Sequence, residues 1–158
     1  MEAHAMRIEE SVEIDRPLEV VFPYVSDVGN YPRWMAHVLD VRKAASAPPQ
    51  TTSFVVAIKS VGRRFETPYE RTSFEPDHGY ADRALGGPIP NQRWESTFHQ
   101  VRAGTRYTRA VEVESRGWLK LLEPLQKRTV KRQLREDLQT LKQVLEAGGR
   151  EHPAVQNP

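Results

Sequence analysis

Apolar and polar positions along this chain change rhythm once, from a period of two over most of its length to a period near 3.6 after Gly117. Ile8, Glu10, Val12 and Ile14 alternate with Arg7, Glu9, Ser11, Glu13 and Asp15, which predicts a half-buried strand from Arg7 to Asp15. Pro17 suits the first turn of a helix, where a missing N–H costs nothing. Leu18, Val21, Phe22 and Val25 then fall at helical spacing, with Pro23 keeping that helix short. The stretch from Asp27 to Pro32 must turn, and Trp34 and Met35 suggest a second short helical piece. Strands are predicted at Val38–Arg42, Ser53–Ser60, Arg64–Phe74, Tyr80–Leu85, Arg93–Val101 and Arg106–Ser115. Gly, Pro and Asp clusters separate them, and Arg102–Thr105 reads as a hairpin.

After Gly117, Leu121, Leu122, Leu125, Leu134, Leu138, Leu141 and Leu145 form one stripe, with Lys127, Lys131, Arg135 and Lys142 around it. This predicts a long helix, kinked or joined at Pro124 and ended by Gly148-Gly149. The polar remainder, 148–158, is expected to be a disordered tail. One strand, two short helices, a run of hairpin-linked strands and a closing helix make an α+β protein with an antiparallel sheet. The length of 158 residues suits one domain, placed at 6–147. Only the last helix is long enough to cover the sheet's apolar face.

Charge narrows the function classes. The 23 Lys and Arg nearly balance the 21 Asp and Glu, for a net charge of +2. No general affinity for nucleic acid is expected from that balance. The basic cluster Lys127, Arg128, Lys131, Arg132 and Arg135 reads first as the solvated face of an amphipathic helix, and second as a patch for anionic lipid or RNA. The absence of cysteine excludes disulfides, thiolate zinc sites and a cysteine nucleophile. No apolar run serves as a signal peptide or membrane span, so the expectation is a cytoplasmic protein without stable membrane insertion. The five histidines include no i, i+4 pair and no HExxH, so no metal is expected. Neither GxSxG, GxGxxG nor a phosphate loop occurs, so no cofactor and no catalytic residue is assigned.

Four segments carry a family resemblance: "VEIDRPLEVVFPYVSDVGNYPRWM", "RWESTFHQVRAGTRYTRAVEVE", "GWLKLLEPL" and "LREDLQTLKQVLE". Together they resemble the START-like (SRPBCC) superfamily, and within it the bacterial polyketide cyclase/dehydrase and lipid-transport-like group. The likeness spans roughly Met6 to Glu146. It implies a helix-grip fold: a seven-stranded sheet wrapped around the C-terminal helix, with a cavity between them. Members of the superfamily bind sterols, lipids, polyketides, quinones and hormones, and some are cyclases.

Alternation and that family pattern together turn Val12, Ile14, Phe54, Val56, Ile58, Phe65, Tyr69, Trp94, Phe98, Tyr107, Val111 and Val113 inward, with Trp118, Leu122 and Leu125 added from the helix. Tyr31 and Trp34 would close one end. Glu10, Arg71 and Arg109 break the apolar pattern. Glu10 with Arg109 is the expected ion pair, and Arg71 or Arg109 is the expected contact for a ligand carboxylate, enolate or carbonyl. The expected ligand-binding set is therefore Trp34, Phe54, Val56, Ile58, Phe65, Tyr69, Arg71, Trp94, Phe98, Tyr107, Arg109, Val111, Trp118 and Leu122. Binding or transport of a small hydrophobic molecule is the main expectation. A polyketide cyclase/dehydratase is one alternative, and a membrane- or RNA-associated protein using the basic helix face is another. The oligomeric state stays open.

Overall fold

The computed structural model describes residues 4–43, 53–89, 91–115 and 117–155, and side chains within 5–43, 53–89, 91–114 and 120–148. The predicted order of elements is present. Strand β1 (His4–Ile14) leads to helix α1 (Leu18–Ser26), a 3-10 turn and the short helix α2 (Tyr31–Trp34). Strands β2 (Val38–Lys43), β3 (Ser53–Ser60), β4 (Arg63–Glu75), β5 (Gly79–Ala84), β6 (Arg93–Val101) and β7 (Gly104–Ser115) follow. A second 3-10 turn, Gly117–Leu122, opens into helix α3 (Glu123–Val155). The strands form one antiparallel sheet in the order β1-β7-β6-β5-β4-β3-β2, so α1 and α2 carry the chain from one sheet edge to the other. This is the helix-grip arrangement.

Alternation holds where pairing is regular. Met6, Ile8, Val12 and Ile14 are buried on β1, and their neighbours face solvent. Tyr107, Arg109 and Val111 stand opposite Val12, Glu10 and Ile8, which places all six on the inner face. A two-residue loop joins β6 to β7 at Val101↔Gly104. Gly104 has φ +153, and a Cβ there would lie 2.1 Å from the Ile14 carbonyl oxygen; only glycine lets β1 end against this hairpin.

Two irregularities break the parity read from sequence. Register shifts between Val38 and Asp40 on β2, and between Arg71 and Ser73 on β4. Such an inserted residue moves every later side chain to the other face. Ser73, which strict alternation from Arg71 would turn inward, is exposed, and Phe74 packs on Phe22 at 5.5 Å.

The leucine stripe divides. Leu134, Leu138, Leu141 and Leu145 are buried, whereas Leu121, Leu122 and Leu125 are exposed. Helix α3 has 33 residues, a length of about 50 Å. Strand β1, its main support, has 11 residues, about 36 Å. Arg135 pairs with Glu10, Lys142 with the Glu13 carbonyl and Glu146 with the Asp15 amide, so the surplus length lies past the end of β1. Leu125, nine residues before Leu134, stands half a turn round the helix from the buried face. Leu122 and Leu125 are therefore not cavity residues, contrary to expectation. Pro124 falls in the first turn of α3, where a 3-10 helix hands over to α, and causes no break. The helix is assigned past the glycine pair to Val155; Gly148 lacks the positive φ that would have ended it there.

The interior has two apolar clusters. The larger gathers Val12, Ile14, Phe22, Trp34, Phe98, Tyr107, Leu138 and Leu141. The smaller gathers Met6, Ile8, Val111 and Leu134, with Trp94, Val113 and Val130 against it.

Candidate functional site

Between these clusters lies a cavity of about 190 Å³. Strands β3 and β4 supply Phe54, Val56, Ile58, Thr67 and Tyr69, and β6 and β7 supply Trp94, Arg109, Val111 and Val113. Tyr31, Met35, His37 and Val38 close it from α2 and the start of β2. Helix α3 adds Val130, Gln133, Leu134 and Asp137. Ile89, half exposed on the loop after β5, brings the cavity to the surface. Apolar walls with a few polar groups are the usual make-up of a site for an organic ligand.

Arg109 is the polar centre. It is only 6% exposed. Its guanidinium lies 4.3 Å from the centre of the Trp94 ring, 5.6 Å from Tyr31 and 5.7 Å from Trp34. Of its five N–H donors, one hydrogen bond is described: Nη1 donates to the Tyr107 hydroxyl at 3.4 Å. No salt bridge to it occurs among the described residues. Glu10, its cross-strand neighbour and expected partner, instead accepts from Arg135 Nε of α3 at 2.9 Å. The reason is position: α3 lies along β1 and brings a solvent-side cation closer to Glu10 than the caged guanidinium.

Arg71 is buried to a similar degree but engaged at all three of its nitrogens. Its Nε donates to Asp82 at 2.9 Å, Nη2 donates to the same carboxylate at 3.4 Å, and Nη1 donates to the Ser26 carbonyl at 2.9 Å. The Tyr80 ring lies 4.1 Å from the guanidinium carbon. Arg71 does not line the cavity, and it ties β4 and β5 to the end of α1.

Two titratable groups sit near Arg109. Burial raises the Asp137 carboxyl to about 6, although the Arg109 charge and a hydrogen bond from the Ala36 backbone pull the other way. Burial, with Arg109 adding to it, lowers His37 to about 4. Their closest approach, Nδ1 to Oδ2 at 3.9 Å, is too long for a hydrogen bond, and His37 Nδ1 is buried without a partner. Burial raises Tyr31, and raises Tyr69 to about 12, so both phenols stay protonated hydrogen-bond donors at neutral pH.

Seven expected residues line this cavity: Phe54, Val56, Ile58, Tyr69, Trp94, Arg109 and Val111. Trp34, Phe98 and Tyr107 are instead fully packed in the larger cluster, where Phe98 stacks on Tyr107 with centres 4.8 Å apart. Phe65 is half-buried opposite Ile58, outside the cavity. The Trp118 side chain lies outside the described residues. His37, Asp82 and Asp137 were not foreseen. Asp137 was legible, because it falls three residues after Leu134 and four before Leu141 on the buried stripe. Asp82 shares strand parity with the buried Tyr80 and Ala84. Among the described residues no group of three His, Cys, Asp or Glu side chains is placed to hold a metal ion. No helix among them is long and apolar enough to cross a membrane.

The family described as polyketide cyclase / dehydrase and lipid transport matches residues 5–146. Among curated proteins none matches this chain. The fold is similar to that of the Zhui aromatase/cyclase of Streptomyces sp. R1128, with a TM-score of 0.78 at 16% identity over 92% of this chain and 96% of that one. A START superfamily protein of Mycobacterium smegmatis gives 0.72 at 15% identity, over 89% and 97%. A protein of Thermus thermophilus gives 0.74 at 15% identity, over 92% and 99%.

Proposed function

The chain belongs to the polyketide cyclase / dehydrase and lipid transport family, and from that premise we propose that it binds a compact, mostly apolar molecule whose single anionic or carbonyl oxygen group meets Arg109. The observation that carries this reading is a buried guanidinium, aimed into an apolar cavity, with most of its donors unused. A buried charge is costly unless paired, and a ligand carboxylate or enolate would supply the missing acceptors. Arginine suits the task because it stays charged and presents a planar fork of donors. Size favours a small ligand or the end of a longer one. The cavity of about 190 Å³ is below the roughly 300–1,000 Å³ of sites for drug-sized molecules.

A second reading rests on Asp137. A carboxyl protonated up to about pH 6 and facing the same cavity as Arg109 is a candidate proton donor to a carbonyl polarised by the guanidinium, as a cyclase or dehydratase requires. Tyr31 and Tyr69 fit that role less well, because burial moves both further from neutral pH.

Mass spectrometry of the organic extract of gently purified protein, against a denatured control, tests the first reading. One small apolar acid or carbonyl compound in stoichiometric amount is expected. Titration with 2-naphthoate and its methyl ester then tests the role of Arg109: the acid should bind more tightly than the ester, and Arg109→Met should abolish the difference. Equal binding of acid and ester to the unaltered protein would reject it. Loss of water from a β-hydroxy thioester, abolished in Asp137→Asn, would favour the enzyme.

A further inference from the structure

We propose that the exposed start of α3, with the 3-10 turn before it, docks the protein on an anionic bilayer surface. Leu121 is 83% exposed, Leu125 65% and Leu122 42%. Leu125 faces away from the buried Leu134–Leu138–Leu141 stripe, and the three leucines sit within two turns, where the 3-10 turn passes into α3. Isolated exposed leucines are ordinary, but three adjacent ones at the tip of a helix are a patch.

The charge around that patch names its partner. Residues 120–135 carry six cations, Lys120, Lys127, Arg128, Lys131, Arg132 and Arg135, against one carboxylate, Glu123. The chain as a whole carries only +2, so its positive charge is concentrated here. All six cations are exposed, although Arg135 is held by Glu10 and Arg132 lies 3.9 Å from Glu136, and Arg128 and Arg132 fall three and seven residues after Leu125, on its own face. Leucines among lysines and arginines on one helical surface suit a membrane interface, where apolar side chains enter the acyl boundary and cations meet lipid phosphates. RNA would use the cations but leave the leucines without a role. Val130, Gln133 and Leu134 line the cavity from the opposite side of the same helix, so the docking face and the cavity wall share one element. This inference stands apart from the assignment of a ligand to Arg109.

The full-length protein is tested by co-sedimentation with phosphatidylcholine vesicles, alone and with phosphatidylglycerol replacing part of the lipid. Binding to the anionic vesicles only, weakening as salt is raised, is expected. Neutralising Lys127 and Lys131 (K127Q, K131Q) should lower the partition coefficient about fivefold for each charge. Leu121→Ser with Leu125→Ser should weaken binding at unchanged charge, while far-UV circular dichroism and Arg109-dependent naphthoate binding stay as in the unaltered protein. Equal sedimentation with neutral and anionic vesicles would overturn the proposal. So would a leucine variant that binds as well as the parent, with polyuridylate displacing both from the vesicles.

Discussion

Two arginines occupy the inner face of the same sheet, and their surroundings differ in one respect. Both are under a tenth exposed, and each lies over an aromatic ring at little more than 4 Å. Arg71 has Asp82 beside it and a backbone carbonyl beyond. Arg109 has a phenol at hydrogen-bond limit and a cavity. The first has every reason to be structural, since its charge is neutralised in place. The second leaves donors unused, which a fold does not need but a binding site does. An inward arginine in a sequence is therefore ambiguous until its partner strand is known, and here the deciding residue, Asp82, sits on β5 next to one arginine and not the other.

Breaking the first of these regions should have the largest effect. Asp82→Asn leaves Arg71 charged and uncompensated, and removal of one partner from a buried pair costs about 3–5 kcal/mol. Urea denaturation should show the loss directly. Arg109→Met removes a cation that forms no salt bridge among the described residues, so the free protein should keep or gain stability in the same assay. Its affinity for naphthoate should fall about 10- to 100-fold, the equivalent of a charge-assisted hydrogen bond worth about 1.5–3 kcal/mol. A fall in stability as large as that of Asp82→Asn would make the two arginines equivalent and remove the distinction.

pH sharpens the contrast. Asp137 ionises in the folded protein near 6, above its ordinary value of 3.8. The folded state then holds a proton that the unfolded state has released. The stabilisation from protonated Asp137 is complete below about 3.8 and is lost as pH rises through about 6. His37 has the opposite sign: with its value lowered from 6.5 to about 4, its contribution is present above 6.5 and lost as pH falls toward 4. Near pH 8 the Asp137 carboxylate competes with any ligand anion for Arg109. Naphthoate should thus bind more weakly at pH 8 than at pH 5.5, and Asp137→Asn should flatten that dependence and raise stability at pH 8. The smallest effect belongs to Leu122→Ser, which should change stability by no more than about 0.5 kcal/mol, as an exposed position does.

Most of the fold could be read from the sequence because alternation in β1, β6 and β7 and the Leu134–Leu145 stripe are faithful records of which face is buried. Parity failed at Arg71–Ser73, since a bulge leaves no mark on the residue types. The leucine stripe misled at Leu121–Leu125, since Leu125 falls nine residues before Leu134, half a turn round the helix from the buried face, and a run of leucines is not by itself a stripe. The cavity wall was half legible. Strand residues Phe54, Val56, Ile58 and Trp94 followed from alternation. His37 reached the site through the turn after α2, and no periodicity governs a turn. Asp137 is hard to pick out by residue type, because its neighbours Arg135 and Glu136 are exposed charges.

The pairing of β1 with β7 sets the order in which the chain can mature. During synthesis the first strand emerges with Met6, Ile8, Val12 and Ile14 uncovered, and its hydrogen-bonding partner, beginning at Gly104, is the last strand made. The α3 leucines that cover that face come later still. Completion of the domain must therefore await release of nearly the whole chain, and such long-range closure places it among slow folders, on a scale of milliseconds to seconds. Meanwhile the opposite face of β1, with Arg7, Glu9 and Glu13, gives the waiting strand a row of charges that discourages pairing with another nascent chain.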